Sequence, residues 1–148
     1  LNGFFACCFY DSLSNKSILA RDRFGIKPLY YFQNSSKFIF GSELKALLCY
    51  PIEKTVDNDA LNQYFRFNYI PAPQTIFKTC KKLLPGNCIT IEDNKITIES
   101  YFKYYPQELS TDNYDIAKDK IKNLIYESVE KHLDNNKAYL QIQLRTFY

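Results

Sequence analysis

The chain has 148 residues, of which 46% are apolar, and it carries a formal net charge of +3. Acidic and basic residues are interspersed without a basic stripe, which excludes the electrostatic footprint of a nucleic-acid-binding or membrane-surface protein. No stretch approaches the roughly 20 apolar residues of a transmembrane helix and no signal-peptide pattern is present, so we expect a cytoplasmic protein.

Cysteine and methionine usage adds two expectations. The five cysteines are odd in number and lack C-x-x-C spacing, which argues against a disulfide framework or a zinc site and favours reduced thiols. Methionine is absent, even at position 1. We therefore expect this sequence to be a piece of a longer protein.

The first part of the chain predicts short strands. The apolar run from Phe4 to Tyr10 predicts a strand that is buried on both faces. Cys7 and Cys8 lie inside this run, where a thiol behaves as a small, unreactive hydrophobic group, so we expect both in the core. Further strands are predicted at Ser17–Ala20, Leu29–Phe32 and Lys37–Phe40. Their spacing predicts an antiparallel meander.

A charged bend interrupts these strands in the segment RDRFGIKPLYY. Arg21 and Asp22 place adjacent opposite charges at the end of a strand, and Gly25 and Pro28 then force the backbone to turn. Charges in a buried meander need partners, because burying an unpaired ion is costly. We interpret the segment as a structural ion pair that holds a turn; the alternative is direct contact with a substrate or a neighbouring domain.

Two helices are predicted after the strands. Ser42 is the expected N-cap of a helix over Glu43–Cys49, which Pro51 ends. Asp57 is the expected N-cap of a second helix over Asn58–Phe67, whose apolar residues recur at helical spacing.

A hairpin pattern follows. Apolar and polar residues alternate over Cys88–Glu92 and Lys95–Glu99, with Asp93 and Asn94 at the turn. Four isoleucines are expected to line one face of the two strands: Ile89, Ile91, Ile96 and Ile98.

The end of the chain predicts one long helix and a short strand. Apolar residues recur every three or four positions over Tyr114–Leu133, and Asp112 or Asn113 is the expected cap. Ala138–Leu144 alternates weakly and is interpreted as a strand. His132, the only histidine, is expected at the helix end, where a surface or capping role is favoured over catalysis.

Taken alone, the residues indicate little chemistry. The sequence contains no glycine-rich phosphate loop, no metal-ligand spacing and no paired-carboxylate arrangement. Only the segment from Arg21 to Tyr31 is too specific to be routine core.

At that segment the chain resembles the glutamine-hydrolysing asparagine synthetases. Six stretches resemble that family in order: LNGFFACCFYD (1–11), RDRFGIKPLYY (21–31), GSELKALL (41–48), ALNQYFRFNYIPAPQTIFK (60–78), KLLPGN (82–87) and IESYF (98–102). The helix over Tyr114–Leu133 resembles the first helix of the family's synthetase domain.

The resemblance implies an α+β fold in three segments. Residues 1–56 would form the C-terminal part of an N-terminal-nucleophile-hydrolase-like α/β/β/α sandwich, the glutaminase domain. Residues 57–108 would form a connector with a helix and a β-hairpin. Residues 109–148 would begin an α/β adenine-nucleotide-binding domain and end in a truncated or divergent tail.

The resemblance also implies an activity for the complete enzyme. Ammonia released from glutamine would amidate aspartate at the expense of ATP, with Mg as the accompanying ion and a homodimer as the expected assembly. Glutamine, aspartate and ATP would be the substrates. Two alternatives remain: a related amidotransferase that acts on another acceptor, such as a surface-polysaccharide sugar or an antibiotic precursor, and a non-catalytic pseudogene product or partner subunit.

The family's catalytic motifs have no counterpart in this sequence. Its N-terminal cysteine nucleophile and glutamine pocket would precede residue 1, and Cys7 and Cys8 do not take their place. Its glycine-rich pyrophosphate loop is missing after Leu133. We therefore expect these residues alone to bind no cofactor and to be inactive. The structural or interdomain candidates are Arg21, Asp22, Gly25, Pro28, Ser42 and Glu43, with Arg21 and Asp22 expected near the interface between the two domains.

Overall fold

The fold combines two antiparallel sheets with three helices. The computed structural model describes the backbone of residues 1–93, 95–105 and 110–145, and side chains as far as residue 131. The chain forms two compact units, Leu1–Tyr105 and Pro106–Tyr148. The mixed α and β composition agrees with the predicted α+β class.

In chain order the elements are β1 (Ala6–Asp11), β2 (Lys16–Arg21), β3 (Tyr30–Gln33), β4 (Phe38–Gly41), α1 (Leu44–Leu47), α2 (Asn58–Phe67), β5 (Cys80–Lys82), β6 (Asn87–Glu92), β7 (Lys95–Ser100) and α3 (Tyr114–Arg145). All strands and the first two helices lie in the first unit, and α3 lies in the second.

The first four strands do not form the predicted meander. They divide between a four-stranded sheet of order β1-β2-β6-β7 and a three-stranded sheet of order β4-β3-β5. Strand β2 pairs with β6, with Ala20 opposite Cys88, while β3 pairs with β5, with Tyr30 opposite Lys82. The bend between β2 and β3 therefore carries the chain from one sheet to the other, which local spacing cannot reveal.

Two small clusters form the core of the first unit. One contains Leu19, Leu29, Leu83 and Ile89, and the other contains Phe32, Leu47, Ile52 and Cys80. Leu29 and Leu83 lie beside the bend, and the Leu83 N–H donates to the Leu29 carbonyl over 2.8 Å. The bend thus lies against the first of these clusters.

The prediction of a fully buried first strand is wrong. β1 is at the edge of its sheet and pairs only with β2. Its residues Phe9 and Tyr10 are 58% and 63% exposed. Cys8 is exposed and Cys7 is half-buried. An apolar run does not by itself distinguish a central strand from an edge strand. All five cysteines are free in the structure.

One helix cap is confirmed and one is wrong. The Asp57 side chain accepts from the N–H groups of Asp59 and Ala60, and α2 has the predicted bounds. Glu43, not Ser42, occupies the N-cap position of α1, and it makes no side-chain cap bond. Because Glu43 has extended backbone, the helix begins one residue later than a Ser42 cap requires.

The hairpin prediction is confirmed. Strands β6 and β7 pair with Ile89 opposite Ile98 and Ile91 opposite Ile96, so the four isoleucines share a face. Asp93 adopts a positive φ of 50° at the turn, a conformation that aspartate tolerates better than most residues. Asn94 lies outside the described residues.

The last helix is longer than predicted. α3 begins at Tyr114, as expected, and Asn113 caps it by accepting from the Ile116 N–H over 3.0 Å. It continues to Arg145, so the strand expected at Ala138–Leu144 is wrong and His132 does not lie at a helix end. Weak alternation over a few residues is poor support for a strand. The side chain of His132 lies outside the described residues.

Among the helices described for this chain, we found none with the length and apolarity needed to cross a membrane.

Candidate functional site

The bend between β2 and β3 is held by many hydrogen bonds that the side chains of Arg21 and Asp22 make. Strand β2 ends at Arg21, the backbone turns at Gly25 with a φ of 68°, and β3 begins at Tyr30. Asp22 is only 1% exposed. A buried carboxylate at a turn must be fully hydrogen-bonded, because its desolvation would otherwise be costly.

Backbone N–H groups supply the partners of Asp22. One carboxylate oxygen accepts from the N–H groups of Phe24 and Ile26 over 3.2 and 3.0 Å, and the other accepts from the Lys27 N–H over 2.9 Å. The Asp22 carbonyl accepts from the Gly25 N–H over 3.1 Å. The aspartate therefore determines the path of the following five residues.

These contacts also set the ionisation of Asp22. Burial alone would raise its pKa, but hydrogen bonds from the N–H groups of Lys27, Ile26, Phe24 and Gly25 outweigh burial and leave the pKa below its usual value. The side chain is therefore a carboxylate at neutral pH.

Arg21 binds backbone carbonyls on both sides of the bend. Its Nε donates to the Lys27 carbonyl over 2.8 Å, and its terminal nitrogens donate to the carbonyls of Gly25 and Leu83 over 2.7 and 2.5 Å. Burial lowers the pKa of this guanidinium, and the charges of Asp22 and Tyr30 oppose that shift. Arginine suits this role because its planar fork directs several donors at fixed angles.

The turn is not held by the expected ion pair between Arg21 and Asp22. In the part of the chain that the structure describes, both side chains bind backbone groups and the four ion pairs lie elsewhere. The charges are compensated by peptide dipoles, which local sequence does not disclose. The role of bracing the turn is nevertheless what the geometry shows.

Residues distant in sequence complete the site. The Gly86 N–H donates to the Asp22 carbonyl over 2.9 Å, and the Tyr101 hydroxyl donates to the Arg21 carbonyl over 2.5 Å. The two glycines at this site leave no room for a side chain: a Cβ at Gly25 would lie 2.7 Å from Pro85 Cγ, and one at Gly86 would lie 2.9 Å from the Phe102 carbonyl oxygen.

Sequence reasoning missed Tyr101, Leu83 and Lys82 as members of this site. Lys82 is half-buried and donates to the Ile70 carbonyl over 2.5 Å; burial first, and the charge of Arg21 second, lower its pKa. The signals for them in the sequence were the stretches KLLPGN (82–87) and IESYF (98–102), which contain all three residues.

The remaining predicted site residues are more exposed. Pro28 and Ser42 are exposed, and Glu43 forms a 3.4 Å ion pair with Lys45 in which both side chains are solvated. Such a pair contributes little to stability. Their assignment as interdomain residues remains a prediction.

None of the perturbed cysteines resembles a catalytic nucleophile. Burial is the main cause that raises the thiol pKa at four positions: Cys7, Cys8, Cys80 and Cys88. A reactive cysteine needs a lowered pKa, since the thiolate is the attacking species. These four thiols therefore lack the lowered pKa of an activated nucleophile.

The described residues also offer no metal centre. Within them, no group of three or more His, Cys, Asp or Glu side chains could hold a metal ion. The four glycines, Gly3, Gly25, Gly41 and Gly86, are isolated from one another and form no phosphate-binding loop.

Comparison with known proteins gives consistent matches. The family model of the glutamine amidotransferase domain matches residues 1–102. Two glutamine-hydrolyzing asparagine synthetases of Bacillus subtilis, numbered 1 and 3, are 36% and 35% identical to the chain over 134 and 135 residues, in each case 90% of the chain. A putative asparagine synthetase of Methanocaldococcus jannaschii is 32% identical over 134 residues.

The matched relatives are much longer than this chain. The alignments cover 21% and 22% of the two Bacillus proteins and 26% of the Methanocaldococcus protein. The family match, by contrast, includes most of the chain and the whole bend with its distant partners. The chain therefore belongs to the glutamine amidotransferase domain family.

Proposed function

We propose that the chain is part of a glutamine-dependent asparagine synthetase, in which ammonia released from glutamine amidates aspartate at the expense of ATP. One observation carries the proposal: each alignment with the Bacillus synthetases includes at least 134 residues, whereas the amidotransferase model includes 102. The likeness therefore extends past the amidotransferase domain into sequence that follows it.

The architecture of the complete enzyme follows from this proposal. The two antiparallel sheets would belong to the α/β/β/α sandwich of the glutaminase domain, and α3 would be the opening helix of the adenine-nucleotide-binding domain. The antiparallel pairing throughout both sheets supports the first assignment. Helix α3 starts at a cap by Asn113 and lies in the second compact unit, which supports its assignment to the nucleotide-binding domain.

In this proposal the complete enzyme uses ATP as a substrate and Mg as the accompanying ion. The described residues do not fit either group, since they present neither a cluster of metal ligands nor a glycine-lined phosphate loop. No reaction step is therefore assigned to them. The bend that they form joins β2 of one sheet to β3 of the other.

The proposal extends to residues 1–148 tested by themselves. We expect them to release no glutamate from glutamine, because the N-terminal cysteine nucleophile and glutamine pocket that the resemblance implies have no counterpart among these residues. Glutamate release by a homogeneous preparation of these residues would contradict this expectation.

The test of the function uses the full-length protein. It is incubated with amide-labelled glutamine, aspartate, ATP and Mg²⁺, and the products are identified by mass spectrometry. Asparagine that carries the label is expected, and ammonium should replace glutamine as the nitrogen donor. If glutamine is hydrolysed but aspartate is not amidated with either donor, the acceptor is another molecule, such as a polysaccharide sugar, and the proposal fails.

A further inference from the structure

Asparagine is followed directly by glycine at one place in the sequence, Asn2 and Gly3, just before β1. Gly3 has a φ of 110°, in a region of the backbone that residues with side chains rarely adopt. Both residues are exposed. The local conformation therefore depends on the absence of a side chain at Gly3.

An asparagine side chain can react with the backbone nitrogen of the residue that follows it. That nitrogen attacks Cγ, a new N–Cγ bond forms, and the Cγ–Nδ2 bond breaks. Ammonia leaves with the proton that the backbone nitrogen gives up, and a five-membered succinimide ring remains. Water then opens the ring. Opening at Cγ gives aspartate, whereas opening at the backbone carbonyl carbon gives isoaspartate.

The residue after the asparagine decides how readily this ring closes, because its side chain crowds the attacking nitrogen. Glycine has no side chain. Among the residues that the structure describes, a Cβ built at Gly3 would meet no atom within 4 Å apart from its chain neighbours, so ring closure and the entering water have room. In the same residues, neither the Asn2 side chain nor the Gly3 N–H has a hydrogen-bond partner.

Asn34 provides a contrast within the same chain. It is exposed as well, and it is followed by another small residue, Ser35. Its Oδ1 accepts from the N–H groups of Ser36 and Lys37 over 3.0 and 2.8 Å, as in an Asx turn. Ring closure at Asn34 would have to break both of these hydrogen bonds.

We propose that Asn2 is a site of spontaneous deamidation, at which the protein acquires aspartate and isoaspartate next to Gly3. Each product carries a negative charge where asparagine is neutral. Isoaspartate also adds a methylene group to the backbone ahead of β1, which begins at Ala6. The inference does not depend on the proposed function, because the reaction uses only this residue pair and water.

Ageing of the full-length protein at mildly alkaline pH tests the inference. Peptide mapping by mass spectrometry measures the fraction of aspartate and isoaspartate formed at each asparagine, and an isoaspartyl methyltransferase labels the isoaspartate. Conversion is expected to be several-fold faster at Asn2 than at Asn34. Unfolding in urea should accelerate conversion at Asn34, which then loses its two hydrogen bonds, and should leave conversion at Asn2 nearly unchanged.

Gly3→Ala is the matched variant, because the added methyl group crowds the attacking nitrogen. It should slow conversion at Asn2 several-fold and leave conversion at Asn34 unaffected. An unchanged rate at Asn2 in this variant would overturn the inference. So would conversion at Asn2 that is no faster than at Asn34, or that urea accelerates as much as at Asn34. These last two comparisons need only the parent protein, so they stand even if the variant does not fold.

Discussion

Asp22 is a buried carboxylate that needs no cationic partner, because peptide N–H groups from Phe24, Ile26 and Lys27 take the place of water. Such bonds favour the charged form, and this outweighs the effect of burial. The same bonds define the turn, so the ionisation of one residue is linked to the conformation of six.

The first prediction concerns the pH dependence that Asp22 contributes. Its folded pKa lies below the unfolded value of about 3.9, so its contribution to the free energy of unfolding is complete above that value and is lost as the pH falls through the folded pKa. Asp22→Asn should lower the free energy of unfolding by about 2 kcal/mol at neutral pH. In urea unfolding, the difference between the variant and the parent should shrink as the pH is lowered.

Asp59→Asn provides the control, because Asp59 is exposed in the first turn of α2. Its effect should be no more than a few tenths of a kcal/mol, about the size of a screened helix-dipole interaction. A pH-independent difference for Asp22→Asn would contradict the assignment.

The second prediction compares two glycines with positive φ. A Cβ at Gly25 would meet Pro85 Cγ at 2.7 Å and Arg21 Cζ at 3.0 Å, whereas a Cβ at Gly3 would meet nothing within 4 Å. Gly25→Ala should therefore lower the free energy of unfolding by about 3 kcal/mol, from backbone strain and overpacking together. Gly3→Ala should lower the free energy of unfolding by less, since only backbone strain acts at that position. Equal thermal-denaturation shifts would show that steric contact at Gly25 is unimportant.

At the scale of single elements, capping residues decide where the two short helices begin. α2 has an aspartate whose side chain binds two N–H groups of the first turn, while α1 begins at Glu43 without a side-chain cap. The difference explains why α2 has its predicted bounds and α1 does not. A side chain caps a helix N-terminus only where it reaches the free N–H groups of the first turn.

The third prediction follows from these caps. Asp57→Ala should lower the free energy of unfolding by about 1 kcal/mol, because the N–H groups of Asp59 and Ala60 lose their acceptor. Ser42→Ala should leave the free energy of unfolding unchanged, because Glu43, not Ser42, occupies the N-cap position of α1. Chemical denaturation of both variants measures the difference, and an equal loss for Ser42→Ala would restore Ser42 as a cap.

At the scale of the first unit, the bend joins the two sheets. Arg21 ends β2 in one sheet and binds the Leu83 carbonyl, which directly follows β5 of the other. The Tyr101 hydroxyl adds a contact from the end of β7. The stability of the first unit should therefore depend on the contacts of Arg21.

The fourth prediction tests that dependence. Arg21→Ala should lower the free energy of unfolding by about 3 kcal/mol, because three backbone carbonyls lose a charged donor. Arg23→Ala removes a neighbouring exposed arginine whose guanidinium lies 5.3 Å from the centre of the Phe102 ring, and it should lower the free energy of unfolding by less than about 1 kcal/mol. In the asparagine synthetase that we propose, Arg21→Ala should also weaken the coupling of glutamine hydrolysis to amidation. Unchanged stability and unchanged coupling would remove Arg21 as a structural or interdomain residue.

The amino-acid sequence by itself determined the local elements and the place of the site. The Asp57 cap and helical spacing were enough to predict α2, and the alternating isoleucines were enough to predict the hairpin. The reason is that the interactions that form these elements lie within a few residues. The unusual charges of RDRFGIKP marked the bend, and ordered motifs indicated the family. Only the tertiary structure decided that β1 is an edge strand, that β2 and β3 lie in different sheets, and that the charges bind backbone. Those outcomes depend on contacts such as Arg21 with Leu83 and Tyr101 with Arg21, which are 62 and 80 residues apart, and no local pattern specifies which distant segments meet.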